Sequence, residues 1–449
     1  MNRILIILIV FLPSSLIIAQ SIPKNQFLYQ SKKLLYDVGR DWESLTVFGP
    51  IRYESNSKQK FKFPNLADIK LGSTFKNNSY ALNGFARLKY MNYFYAYLYP
   101  VVQNNLSESN QLNTESKFSD TYGNLSGVGF ENDWLIFQFG KGRESWGAGN
   151  NIQLALSENS HNYDYFLLGF NHRKIRFRYI HGFLENVEGN INRFITARGF
   201  EWTNKKSLVI GFSETIIYSG ENRSIDIGYL NPISSHLEVE LNNRLNIIGN
   251  SNSNAVWQMH IDYLLTKHFR VSINYLYDEL VIDPNIEIGK ESGRAFSYRF
   301  SYTPVSSINH LFTLYGSLVY VGTPTFRHGF GMNNFVQNGR PLGWYRGSDG
   351  QDFCIGANYF NDNNLIVSIS TGIHQSGEET ITERIFDSYA DYLKGKFPSG
   401  KVEENYYIKS KIIYLLKKKY SISTTFQTYQ NIKVFDFRLV IPISHLFKK

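Results

Sequence analysis

Oily and polar residues alternate along this chain in segment after segment. Near the C-terminus Phe435, Phe437, Leu439, Ile441 and Ile443 share one face, with Asp436 and Arg438 on the other. Phe296, Tyr298, Phe300 and Tyr302 alternate with Ser297, Arg299 and Ser301, and Ile175, Phe177 and Tyr179 with Lys174, Arg176 and Arg178. The same period runs through Val271–Tyr277, Trp257–Tyr263, Leu365–Ile369 and Tyr420–Phe426. Successive side chains of a strand point to opposite faces, so each segment predicts a strand with one oily and one wet side. The pattern continues from about residue 80 to the end without a domain break.

Two architectures produce it. In a soluble sandwich the oily face is a core; in a membrane β-barrel it meets lipid while the wet face lines a lumen. Three features favour the barrel. The wet face carries full charges (Lys174, Arg176, Arg178, Arg299), aromatics crowd a strand end at Tyr93, Phe94, Tyr95, Tyr97 and Tyr99 as interfacial girdles do, and no break divides the pattern. Closure also removes the sheet edges that a large soluble sheet must protect. The predicted fold class is all-β: a closed antiparallel transmembrane β-barrel with short periplasmic or mouth-capping helical segments. At roughly 24 residues per strand and connection the chain gives about 18 strands.

Other segments depart from this period. Residues 1–19 read as a secretory signal peptide, with Arg3, an apolar run Ile4–Leu12, a break at Pro13 and a small residue, Ala19, before Gln20. Residues 20–79 hold an N-terminal extension and the first strands, and residues 80–449 the barrel. Asn104–Asp120 is polar and reads as a surface loop. Within Glu378–Lys396, Ile381, Ile385, Tyr389, Tyr392 and Leu393 recur at spacings of three and four, which predicts a short helix ending at Pro398-Ser399-Gly400.

Composition narrows the function classes. Among 449 residues, 43% are hydrophobic and 19% charged, which excludes global disorder and a coiled coil. A single cysteine, Cys354, excludes an internal disulfide framework and a Cys-rich metal site. The net charge of +9 favours acidic polysaccharide or lipopolysaccharide phosphate by Coulomb attraction, or reflects Lys and Arg at membrane interfaces. No nucleotide fingerprint is present, and nothing beyond basic charge speaks for nucleic acid.

The most distinctive stretch is Phe139–Asn151, where Gly140, Gly142, Gly147 and Gly149 bracket Lys141, Arg143 and Trp146. Glycine permits left-handed backbone and close approach. Trp stacks on sugar faces and Arg forks onto carboxylate or phosphate. The plain alternative is a tight hairpin whose Trp belongs to a girdle. The Asn/Gln-rich run Asn333–Asn338 suits sugar hydroxyls or ordinary loops. Enzymatic readings are weaker. Glu144, Glu158 and Glu214 are carboxylates of the type a glycosidase needs, yet lumen carboxylates commonly pair with arginines. Ser157 and His161 lie near each other without a nucleophile elbow, and His172 and His181 lack zinc-ligand spacing. No catalytic residue, metal or cofactor is expected.

Gly140-Lys141-Gly142-Arg143, Trp146-Gly147-Ala148-Gly149 and Leu154–Asn159 resemble the Wzi capsule-assembly family of outer-membrane barrels, with Ala148 where proline is usual. Ala197–Phe200, Gly211–Glu214 and Tyr229–Pro232 resemble its middle region, and Asn338–Gly343 with Gly347–Asp349 its late Arg-Pro-Leu-Gly segment. The resemblance implies a non-enzymatic lectin in the Gram-negative outer membrane that anchors capsular or exopolysaccharide. The implied partners are that polysaccharide and outer-membrane lipid and lipopolysaccharide, with no nucleic acid and a monomeric barrel. The expected glycan-binding residues are Arg143 and Trp146, with Gly147 and Gly149 shaping the loop, and Glu214, Arg340 and Asp349 as lumen residues. The alternative is a porin-like channel, or an accessory factor for secretion or gliding motility on the same scaffold.

Overall fold

Asp68–Lys76 pairs antiparallel with Ser79–Tyr90 on one side and with Ile432–Pro442 on the other, so the sheet closes on itself. The short segments Phe94–Tyr99 and Val101–Gln103 both pair with Ser79–Tyr90 and form one strand broken at Pro100. The result is a closed antiparallel barrel of 18 strands. The computed structural model describes Leu34, Leu35 and Asp37, and residues 68–442 except 77–78, 92, 104–124, 243–252, 279–287, 308, 362–363, 390–392, 418–419 and 430–431. The signal peptide expected at 1–19 and the loop expected at Asn104–Asp120 lie outside the described residues. No helix among the described residues is long and apolar enough to cross a membrane.

Connections differ at the two ends. At one end strands join through short turns such as 173–174, 204–207 and 267–268; at the other through 143–162, 222–252, 322–349 and 377–402. The expected alternation holds along the walls. Outward positions such as Phe139, Phe200, Phe212, Met259, Phe300 and Phe353 are exposed, as a lipid-facing belt requires. Inward neighbours are polar and paired: Arg270 with Asp262 at 2.7 Å, and Glu201 with Arg176 at 3.3 Å and His260 at 3.2 Å. Exposed Tyr90, Tyr93, Trp134, Tyr263 and Tyr302 ring the short-turn end as a girdle.

Three of the expected girdle aromatics instead face the lumen. Tyr95, Tyr97 and Tyr99 occupy the inward parity of their strand, and only Tyr93 and Phe94 face outward, against Phe130. The inward rings lie flat over glycines of the next strand; a Cβ on Gly127 would sit 2.6 Å from the Tyr97 hydroxyl, and one on Gly129 2.4 Å from that of Tyr95. A run of aromatics at every second position is a wall feature, whereas a girdle needs one ring per strand end.

The described part of Glu378–Lys396 forms turns, not a helix. Two backbone bonds close within it, from the Glu383 and Arg384 N–H groups to the Thr380 carbonyl, and further groups reach another loop: Glu379 N–H donates to Asp349, Ile381 N–H to Ser348 Oγ, and the Ile385 and Asp387 carbonyls accept from Asn334 Nδ2. Ile381 and Ile385 recur at helical spacing because both reach one apolar core.

Candidate functional site

The lumen is filled toward its long-loop end. Residues 143–157 leave the strand Leu135–Gly142 and dive inward, where their backbone bonds to polar side chains of the opposite wall. Ala148 N–H donates to Asn274 Oδ1 (2.6 Å), Asn274 Nδ2 donates to the Ala148 carbonyl (2.9 Å), and Ala155 N–H donates to Gln258 Oε1 (3.2 Å). The Ile152 carbonyl accepts from Ser297 Oγ at 2.7 Å. Gly147 (φ 122°) and Gly149 (φ 77°) permit this descent. A Cβ on Gly147 would lie 2.7 Å from Asn274 Oδ1 and 2.8 Å from Gln258 Nε2, so the loop reaches the wall only where a side chain is missing.

A second loop completes the plug. Trp344 N–H donates to the Leu154 carbonyl (2.9 Å), Ser157 N–H donates to the Leu342 carbonyl (2.9 Å), and the Trp344 ring meets His374 edge-on at 5.7 Å. Contacts therefore run across the lumen from Gln258 through Leu154 and Trp344 to His374. Trp146, Ile152, Leu154, Leu156, Phe335, Leu342, Trp344 and Ile381 share one apolar core with the walls. Arg193 ties the loops down, donating to the carbonyls of Met332 (2.6 Å), Asn334 (2.7 Å) and Val336 (3.1 Å) while pairing with Glu185 at 2.8 Å. Burial raises the Glu185 carboxyl above its usual range despite the Arg193 charge. Nearer the short-turn end, Leu34 packs on Leu311, Phe360, Ile366 and Ile413, and Asp37 pairs with Arg299 at 3.2 Å.

Above the plug lies a cavity of about 620 Å³, within the range of about 300–1,000 Å³ common to small-molecule sites. Its floor is buried: His374, Thr380, Arg346 and Tyr429. Its rim is exposed at Glu383, Asp387, Lys401 and Glu403, so it opens at the long-loop end. Arg340, Arg384, Tyr345 and Glu378 also line it. Arg346 stacks on Tyr345, Tyr407 and Tyr429 at 4.9, 5.1 and 5.3 Å from the ring centroids, and its guanidinium lies 3.4 Å from Asp352. This set offers cations for acidic groups, carboxylates for hydroxyls and phenol faces for sugar rings.

Of the expected glycan-binding residues Arg340 alone lines this cavity, with Gly339 and Pro341 beside it. Arg143 is buried beneath it, donating to Asn162 Oδ1 at 2.7 Å. Arg143 and Arg340 both act on His161: burial and their two charges pull its imidazole down to about 3, so it stays neutral at physiological pH. Trp146 is 1% exposed and lies against Gly199, where an added Cβ would meet the ring at 3.2 Å. Asn333, Asn334 and Gln337 are buried in the plug. The Ser157 hydroxyl donates to the Gly343 carbonyl and Glu144 accepts from the Tyr165 hydroxyl at 2.9 Å, both as internal bonds of the plug and wall.

Asp349 is a clamp between loops. Its carboxylate accepts from Thr323 Oγ1 (2.8 Å), Ser399 N–H (2.9 Å), Glu379 N–H (3.1 Å) and the Ser399 hydroxyl. Asp349→Ala takes the acceptor from Thr323 Oγ1 and the Ser399 N–H, while Glu379 N–H keeps Ser399 Oγ at 3.0 Å, and should lower unfolding stability by about 1–3 kcal/mol, read as urea-induced loss of the folded gel band.

Glu214 does not face the lumen, contrary to expectation. Its strand, Leu208–Glu221, turns Gly211 inward against His260 and exposes Ile210 and Phe212 outward, so Glu214 shares the outward parity. It pairs there with Arg198 at 3.3 Å and accepts from Trp257 Nε1 (2.9 Å) and His236 N–H (3.0 Å). Two short helices, Ile227–Leu230 and His236–Leu241, cover the pair on the outer wall.

Sequence reasoning missed Tyr345, Arg346, Arg384, Lys401 and Tyr429. The available signal was Trp344-Tyr345-Arg346, an aromatic–arginine run directly after the Arg-Pro-Leu-Gly segment.

No protein-family model matches the chain, and no curated protein is similar to it in sequence. Among solved structures it is similar to Wzi of Escherichia coli, described as a carbohydrate-binding outer-membrane β-barrel involved in group 1 capsule assembly, with TM-score 0.62 and 11% identity over 95% of this chain and 99% of that one. OprD of Pseudomonas aeruginosa gives TM-score 0.46 and 9% identity over 86% and 95% of the two chains, and OccK3 of the same organism 0.46 and 8% over 84% and 94%. The fold is thus that of the outer-membrane β-barrels.

Proposed function

We propose that this protein is a non-enzymatic barrel of the Gram-negative outer membrane that holds capsular or exopolysaccharide at the cell surface, acting as a monomer. The observation that carries the reading is the cavity that opens at the long-loop end and stops at the plug. Long loops face outward in such barrels, so a glycan entering from outside is held by the cavity and not passed inward. Arg340, Arg384 and Lys401 supply attraction for acidic residues of the glycan, and Tyr345 and Tyr429 supply ring faces. Arg143, Trp146, Gly147 and Gly149 act in this reading as the support that places Arg340 and Trp344-Tyr345, without touching the glycan. The carbohydrate-binding description of the E. coli barrel agrees with it.

The test compares cell-attached with shed polysaccharide. In a strain lacking the protein, total polysaccharide stays constant while the attached part moves into the medium. Complementing with the Arg340→Ala/Arg384→Ala/Lys401→Ala chain, at equal barrel abundance, restores less than half of the attached part. An unchanged partition in the deletion strain removes the proposal and turns attention to ion conductance in planar bilayers.

A further inference from the structure

The outer wall carries a flap whose two faces differ sharply. Its underside is polar and aromatic. Tyr229 accepts through its carbonyl from the Tyr179 hydroxyl (2.7 Å), its own hydroxyl lies 2.9 Å from His236 Nδ1, and Asp226 N–H donates to the Tyr218 hydroxyl (3.2 Å). The upper face is uncovered and carries three large apolar side chains, Ile227 at 68%, Ile233 at 84% and Leu237 at 51% exposure, with Asn231 and Ser235 as its exposed polar residues among the described ones.

We infer that this face sits among the acyl chains of the leaflet around the long-loop end, as a continuation of the lipid-facing belt. Two observations carry the inference. First, the flap is seated on the belt's edge. His236 N–H bonds Glu214 and the Asn231 carbonyl accepts from Arg198 at 3.5 Å. Glu214 and Arg198 stand two residues beyond the exposed Phe212 and Phe200 on the same outward face, about 6.6 Å along strands that rise about 3.3 Å per residue. Ile233, between Asn231 and His236, lies directly over that edge. Second, the flap covers an ion pair on a face that meets lipid. An Arg–Glu pair open to hydrocarbon is costly, and the covering helices supply Glu214 with a backbone donor and Arg198 with a carbonyl. A cover that excludes hydrocarbon from charge has to present an apolar exterior of its own, and Ile227, Ile233 and Leu237 provide it.

The test places a nitroxide label at Ile233→Cys in a Cys354→Ser chain, reconstituted in phospholipid bilayers. Ile233 makes no buried contact, so the label leaves the fold intact, and an unchanged heat-shifted gel band verifies this. Phe212→Cys gives the lipid reference and Lys206→Cys, in a short exposed turn, the aqueous one. The expected result is that oxygen broadens the Ile233 label more than a water-soluble nickel chelate does, as at Phe212. Greater broadening by the chelate, as at Lys206, overturns the inference, and so does dipolar coupling between labels, which would assign the face to a second copy of the chain.

Discussion

Excising residues 145–156 and closing the gap with a short glycine–serine linker should turn a barrel of background conductance into one that conducts at least an order of magnitude more in planar bilayers. Barrels of 16–18 strands are wide enough to leave an aqueous channel unless something fills them. Here the filling is specific. The excised segment carries Trp146, Ile152 and Leu154, all buried in the central core, and the backbone groups that bond Asn274 and Gln258. Its loss leaves Asn274, Gln258 and Ser297 facing an open space that continues down to Arg176, Glu201 and His260. Those groups are charged or polar, so water and ions enter once the apolar cover is gone. The milder Gly147→Val should act in the same direction, because its Cβ alone would lie 2.7 Å from Asn274 Oδ1 and 2.8 Å from Gln258 Nε2, too close for the loop to keep its seat. Conductance that stays at background after excision would show that the ion-pair layer beneath, with Leu34 and Asp37, seals the barrel without the plug.

How far the sequence foretold this molecule differs between wall and lumen. The walls were legible because lipid and lumen impose opposite demands on neighbouring residues of a strand, and period two records that directly. Phe296–Tyr302, Val271–Tyr277 and Tyr420–Phe426 all lie in strands with the expected faces. The same rule covers Glu214: counted from Phe212 its parity is outward, although the family resemblance implies a lumen residue. The plug left no comparable record. Ala148 and Asn274 are 126 residues apart, and Ser157 and Gly343 186. Burial arising from such distant partners has no period. The helix expected at Glu378–Lys396 shows the converse: apolar residues at spacing four appear wherever an irregular loop must reach one core twice, as Ile381 and Ile385 do. The glycines of the Trp-Gly-Ala-Gly stretch answer to the opposite wall, which the sequence does not display.

Trp146 and Tyr345 should respond to truncation in opposite ways, and this contrast separates a supporting residue from one that meets glycan. Trp146 is enclosed by Gly199 and the plug core, so Trp146→Ala removes a large buried ring and should lower unfolding stability by about 3–5 kcal/mol in detergent-solubilised barrel. Per folded barrel, however, cell-attached polysaccharide should change little, because no atom of the ring reaches the cavity. Trp146→Phe should recover part of the stability, since it keeps an aromatic ring against Gly199. Tyr345 lines the cavity and is only partly buried. Tyr345→Ala should cost less stability than Trp146→Ala, about 1–2 kcal/mol for its packing and its bond to Arg346, and release polysaccharide into the medium. Adding Arg340→Ala should increase that release, because the two side chains offer a ring face and a charge to the same ligand. If Trp146→Ala releases polysaccharide while the amount of folded barrel is held constant, and Tyr345→Ala does not, the glycan contact lies in the plug and not in the cavity above it.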